Sequence, residues 1–182
     1  MDSRIALARG WLAAAFQTLH DNLYGLSLSE ALFVPQGGYR SVLGTLKHTA
    51  AWAHVYRSYA FDEHPTNWLD VAWPHDLRDT ILPSQAYLDK VLAWTDLSHE
   101  LWQRDLQAVS DADLDQPRPL HWGERRPLAD IVRMVTMHYV YHAGEINQLL
   151  SIARQEGWEN GEEVEENLAP SEGHRVVPPW KG

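Results

Sequence analysis

The strongest constraint in this chain is a recurrence of apolar residues at three- and four-residue spacing. It runs through four long segments divided by stretches rich in proline and glycine. A helix turns about 100° per residue, so residues three and four apart share a face, and an apolar face must be buried against another. In residues 3–24 that set is Ile5, Ala8, Leu12, Ala15, Phe16, Leu19 and Leu23, with Ser3 placed as N-cap. Ser41 opens a second segment reaching about residue 61, and Ser84 a third reaching about residue 109. Pro127 suits the first position of a fourth, because the N–H it lacks would have no helical partner there. This helix is expected to end near residue 156, with Gly157 as a left-handed cap.

The intervening stretches read differently. Residues 25–40, with Pro35, Gly37 and Gly38, read as loop. Residues 62–83 form a long connection carrying Pro65, Pro74 and Pro83, and Trp68 and Trp73 within it are candidate walls of an apolar pocket. Leu120-His-Trp-Gly-Glu is short enough for a tight hairpin. No strand-like alternation of useful length occurs, so the fold class is all-α, a four-helix bundle. Residues 1–157 make up the bundle, and residues 158–182 an irregular acidic tail rich in proline and glycine.

Charge and composition narrow the function. Fifteen Lys and Arg stand against twenty-five Asp and Glu, a net charge of −10. That opposes nucleic-acid binding, which needs clustered cations, and docking on anionic lipid. No window approaches the apolar length of a membrane span, and Asp2 and Arg4 interrupt any leader-like core, so a cytoplasmic protein is expected. The chain has no cysteine, which excludes disulfides, thiolate zinc sites and cysteine nucleophiles. Any metal must be held by imidazole and oxygen, and any thiol chemistry must take its sulfur from outside.

Ten histidines remain, and helical direction sorts them. His48 lies in the apolar arc of Val42, Leu46, Trp52, Val55 and Tyr59, whereas His54 falls with Lys47, Arg57 and Ser58 and is expected in solvent. His138 and His142 share the inward stripe of Ile131, Met134, Val135, Leu149 and Ile152, with Glu145 on the same stripe. Four residues apart, they stack one turn above the other, with Cβ atoms about 5–6 Å apart. A divalent ion about 2.0–2.1 Å from each nitrogen fits between two such rings. Two inward histidines on one helix and a third on another supply a facial three-nitrogen set with a coordination position open, as in catalytic sites. The competing reading is three hydrogen-bonded core histidines without metal, and the pattern leaves both standing. Gly144 leaves room for another helix to approach beside the pair. His20, His64, His75, His99 and His174 have no partner pattern and are expected at the surface.

Two motifs carry a resemblance. One is Leu43-Gly-Thr-Leu-Lys-His48-Thr-Ala-Ala-Trp52, and the other His138-Tyr-Val-Tyr-His142-Ala-Gly144-Glu145-Ile146. Together they resemble the DinB/YfiT-like metalloenzyme family, over about residues 1–157 in helix order and spacing. The resemblance implies an up-down-down-up bundle with a divalent metal on His48, His138 and His142. It also implies thiol-dependent transferase or isomerase chemistry on a small-molecule substrate, with a low-molecular-weight thiol as co-substrate, and pairing of bundles into a homodimer. Three imidazoles suit zinc, nickel and iron alike. Glu145 stands where the family more often has Gln, and the acidic tail has no counterpart there. The alternative is a non-catalytic bundle in which the metal is structural and the function is a protein interface.

Other features are open to two readings each. Glu145 can accept from a ligand N–H, act as general base or serve as a fourth ligand. Arg118, Arg125 and Arg126 gather before the fourth helix, either to hold an anion or as a solvated turn balanced by Glu124 and Asp130. His121 and Trp122 sit on a turn that either reaches the site mouth or lies at the surface. Trp52, Trp94, Trp102, Tyr139 and Tyr141 belong to core or interface. A ferritin-like di-iron site is excluded, since no glutamate has a histidine three positions later. Phosphate-cradling loops, nucleophile elbows and His-Glu-x-x-His motifs are absent from the sequence.

Overall fold

A computed structural model of the chain describes residues 3–38, 40–66 and 84–159. Among the described residues five helices are present: α1 (Arg4–Asp21), α2 (Leu28–Leu32), α3 (Val42–Phe61), α4 (Gln85–Gln107) and α5 (Leu128–Glu159). The three predicted serine caps form. Ser3, Ser41 and Ser84 accept from the amides of Ala6, Gly44 and Tyr87, satisfying donors that the first turn leaves unpaired. The short α2 lies within the stretch read as loop. Its signal was a capping box, in which Ser27 and Glu30 bond each other's backbone amides, too local for periodicity to register.

Between α4 and α5 the chain makes a 3₁₀ turn at Asp111–Asp115 and then the predicted hairpin. Strands β1 (Pro117–Pro119) and β2 (Arg125–Pro127) pair antiparallel, with Arg118 opposite Arg126. Gly123, at φ 91°, supplies the positive φ that the turn requires. Pro127 therefore ends a strand, and α5 begins one residue later, the Leu128 amide donating to the Gln116 carbonyl at 3.0 Å. At its far end α5 continues through Gly157 to Glu159, because glycine permits a left-handed cap without imposing one.

The long helices pack around one core: α1 lies chiefly against α5, and α3 lies between α4 and α5. With neighbours on two sides, α3 is buried around most of its circumference, through small residues such as Thr49, Ala50, Ala53 and Ser58. The fully buried Trp102 of α4 fills the space beside it and donates its indole N–H to the Ala53 carbonyl at 2.8 Å. On the same side of α3, Arg57 and Asp105 form an ion pair with 12% and 14% of their side chains exposed. His54, expected in solvent beside Arg57, is accordingly half-buried; the polar face of α3 is covered by its neighbours. Glu30 of α2 binds Arg154 of α5 at 2.7 Å and ties the short helix to the bundle. No helix among the described residues is long and apolar enough to cross a membrane. Trp68, Trp73, His75, His174 and residues 160–182 of the acidic tail lie outside the described residues; the first two residues assigned to the tail, Trp158 and Glu159, belong to α5.

Candidate metal centre

Helices α3 and α5 bring His48, His138 and His142 together across ninety residues of sequence. Nε2 of His138 lies 3.3 Å from Nε2 of His48 and 3.0 Å from Nε2 of His142. One ligand atom from each of the three lies within 4.8 Å of the others. Nitrogens coordinated about 2.0–2.1 Å from one ion stand roughly 2.9–3.4 Å apart for angles from 90° to tetrahedral. The two short separations therefore already match a common ion.

The protonation states suit a cation. Burial is the main cause that lowers all three histidines. His48 is held at about 4 and His138 at about 3, and both are neutral at pH 7. His142 is also lowered, although Glu145 opposes the shift. Nδ1 of His142 lies 2.7 Å from the Glu145 carboxylate, and an ionised carboxylate only accepts. The proton therefore sits on Nδ1 and the Nε2 lone pair faces the cluster. One N–H on His138 cannot point squarely at both neighbours, so lone pairs are left facing one another. A cation placed among the three nitrogens satisfies them all. Nδ1 of His138 is buried without a hydrogen-bond partner among the described residues.

The surroundings separate the candidates. Glu145 accepts from the Nδ1–H of His142, the geometry that the first of its three readings requires. Gly144 faces open space among the described residues: a Cβ built there meets nothing within 4 Å, so no described helix uses the room that Gly144 leaves for a close approach. Instead, Asn22 at the end of α1 donates to the Ala143 carbonyl at 2.9 Å and anchors α5 between His142 and Glu145. Trp52 stands one turn beyond His48, ring centroids 6.3 Å apart, and its other side meets the His121 ring at 4.8 Å. The hairpin turn thus reaches the aromatic wall of the site while His121 stays outside the ligand cluster. Arg126 pairs with Glu124 at 2.9 Å, and Arg125 donates to the Pro117 carbonyl at 2.8 Å, so these arginines hold the hairpin.

Of the other histidines, His20 and His64 are exposed as expected. His99 is not: it is 9% exposed and stacks on Phe16 at 4.0 Å between ring centroids, because α1 covers that side of α4. It lies on the same face of α4 as the buried Thr95 and Trp102, four residues after the one and three before the other. Arg40 lies outside every periodic segment of the sequence, which gives it no direction of its own. Its charge bears on all three histidines and helps hold them neutral.

No curated protein matches the chain. The DinB superfamily matches residues 11–146, a span that includes all three clustered histidines and Glu145. By that match, this chain is a member of the DinB superfamily.

Proposed function

We propose that His48, His138 and His142 hold one divalent transition ion (zinc, nickel or iron) and that the protein is a metal-dependent enzyme. Its reaction is of the thiol-dependent transferase or isomerase type, on a small-molecule substrate, in the cytoplasm, where free thiols stay reduced. The observation that carries this reading is the convergence of three neutral Nε2 atoms at 3.0 and 3.3 Å. The bundle is read as up-down-down-up, in keeping with the family.

When bound, the ion supplies Lewis acidity that favours the deprotonated form of an incoming thiol or water. The residues of the chain set the stage for it. The histidines offer lone pairs without adding charge. Glu145 fixes the tautomer and ring orientation of His142 and makes its Nε2 a stronger donor. Trp52 packs edge-on beside His48. With no cysteine in the chain, the sulfur nucleophile comes from a separate thiol. Elemental analysis of untagged protein, repeated on His138→Ala, tests the metal: about one ion per chain must be present and must be lost in the variant. A thiol-transfer screen on the metallated protein follows.

A second reading, a structural ion in a protein whose function is an interface, is favoured by one observation. Leu7, Trp11 and Met137 are exposed along a groove of about 550 Å³ between α1 and α5. Chelation would then lower the melting temperature strongly while no thiol reaches the ion. Under either reading the partner proposed for that face is a second copy of the chain.

A further inference from the structure

Helices α1 and α4 run antiparallel along their shared seam, and three contacts mark its length. Arg9 and Gln103 bond reciprocally: Arg9 Nε donates to Gln103 Oε1 at 3.2 Å, and Gln103 Nε2 to the Arg9 carbonyl at 3.1 Å. Phe16 and His99 stack further along, ring centroids 4.0 Å apart. His20 and Asp96 come last, with Nε2 and Oδ1 3.7 Å apart, too far for a hydrogen bond. Beside the second and third contacts the seam opens into a cleft of about 390 Å³, a size within the range of small-molecule sites.

The lining is acidic. Asp96 and Glu100 contribute carboxylates, and neither Lys nor Arg lines the cleft. Glu100 has no hydrogen bond or ion pair among the described residues, and Asp96 has only the long approach of His20. His99 also lines the cleft, although it is only 9% exposed. Its Nδ1 is sealed from solvent without a partner, and its Nε2 bonds nothing among the described residues, so Nε2 is the ring nitrogen that meets the cleft. Residues 96, 99 and 100 share one face of α4, being three and four apart. Three acceptors therefore line the same space, while Ala13 and Phe16 supply an apolar wall from α1.

Spacing decides which cation fits. Among the described residues only His48, His138 and His142 stand close enough to share a bare ion. A primary ammonium suits a wider set: its three N–H donors point apart and hold acceptors about 2.9 Å from the nitrogen, roughly 4.7 Å from one another.

We propose that the cleft between α1 and α4 is a second binding site, for a small organic amine. The ammonium group meets Asp96, Glu100 and Nε2 of His99, and the apolar body lies against Phe16. No residue of the cleft belongs to the histidine cluster, so this site does not depend on the ion.

The test is calorimetric titration of the full chain with benzylamine and with benzyl alcohol, its neutral counterpart. Benzylamine is expected to saturate one site per chain and to bind about tenfold more tightly than the alcohol. Asp96→Asn and Glu100→Gln should each weaken it by about three- to tenfold. Asp89→Asn removes an exposed acid of α4 outside the cleft and should leave binding unchanged. That control separates a built site from general attraction to a chain of net charge −10. His99→Phe keeps a ring on Phe16, removes the acceptor and should also weaken benzylamine, with metal content unchanged. Should His99→Phe fail to fold, the two isosteric variants Asp96→Asn and Glu100→Gln decide alone. The proposal is overturned by an absence of saturable binding, by equal binding of amine and alcohol, or by equal effects of Asp96→Asn and Asp89→Asn.

Discussion

The Glu145 carboxylate and Nδ1 of His142 lie 2.7 Å apart on successive turns of α5, acceptor facing donor. Carboxylates in this relation to a ligating histidine tune affinity for the ion. Glu145→Ala is therefore expected to weaken metal binding by about 10–100-fold with helix content unchanged. Glu145→Gln, whose amide oxygen still accepts, should lose less. Competition with a chromophoric chelator measures both, and wild-type affinity in Glu145→Ala would refute the assignment.

His138 touches both other histidines, so its loss should be the most complete. His138→Ala is expected to retain no metal after dialysis, and His48→Ala and His142→Ala to lose nearly all of it. His54→Ala serves as the control, since His54 lies on α3 outside the cluster and should leave the metal content at the wild-type level.

His99 predicts a pH dependence of stability. Burial lowers it to about 4 from an ordinary 6.5. Between those values the unfolded chain binds more protons than the folded one, so stability is complete above about pH 6.5 and declines as pH falls toward 4. The loss at the low end is at most about 3 kcal/mol. His99→Phe keeps the stacking on Phe16 and removes the titration, so its melting temperature should fall less between pH 7 and 4.5 than that of wild type. Parallel acid-induced losses in both proteins would refute this.

Trp102 holds α4 against α3 with a fully buried ring and a hydrogen bond to Ala53. Truncation of a buried aromatic leaves a cavity as well as losing transfer energy, so Trp102→Ala is expected to cost about 3–5 kcal/mol in urea unfolding. A cost below about 1 kcal/mol would mean that the two helices close over the gap.

The proposed second copy is open to sedimentation analysis. Trp11 is 60% exposed and Met137 57%, and both line the groove between α1 and α5. Trp11→Arg should convert a dimer into a monomer without lowering the metal content, because the groove and the histidine cluster share no residue. Wild-type protein sedimenting as a monomer would remove this interface.

Much of the centre was legible because helical direction is a local property. The i to i+4 backbone bonding that makes α3 and α5 helices also sets which way His48, His138 and His142 point, and three serine caps placed the starts of α1, α3 and α4. Short elements were harder. The five residues of α2 are too few for a period to show, and only the Ser27–Glu30 capping box marked them.

Burial, by contrast, depends on which helix comes alongside. His54 is half-buried because neighbours close over the polar face of α3, and His99 is buried because α1 lies on α4; neither neighbour can be read from the residues around it. Arg40 belongs to no periodic segment, and its charge bears on His138 and His142 only because α3 and α5 meet. The sequence by itself determined the helices and the inward aim of three histidines. Tertiary structure decided that the three rings meet, at 3.0 and 3.3 Å, and which charges surround them. The physical reason is one of range: backbone hydrogen bonding acts within a turn of helix, whereas desolvation and Coulomb interaction depend on distances that only packing sets.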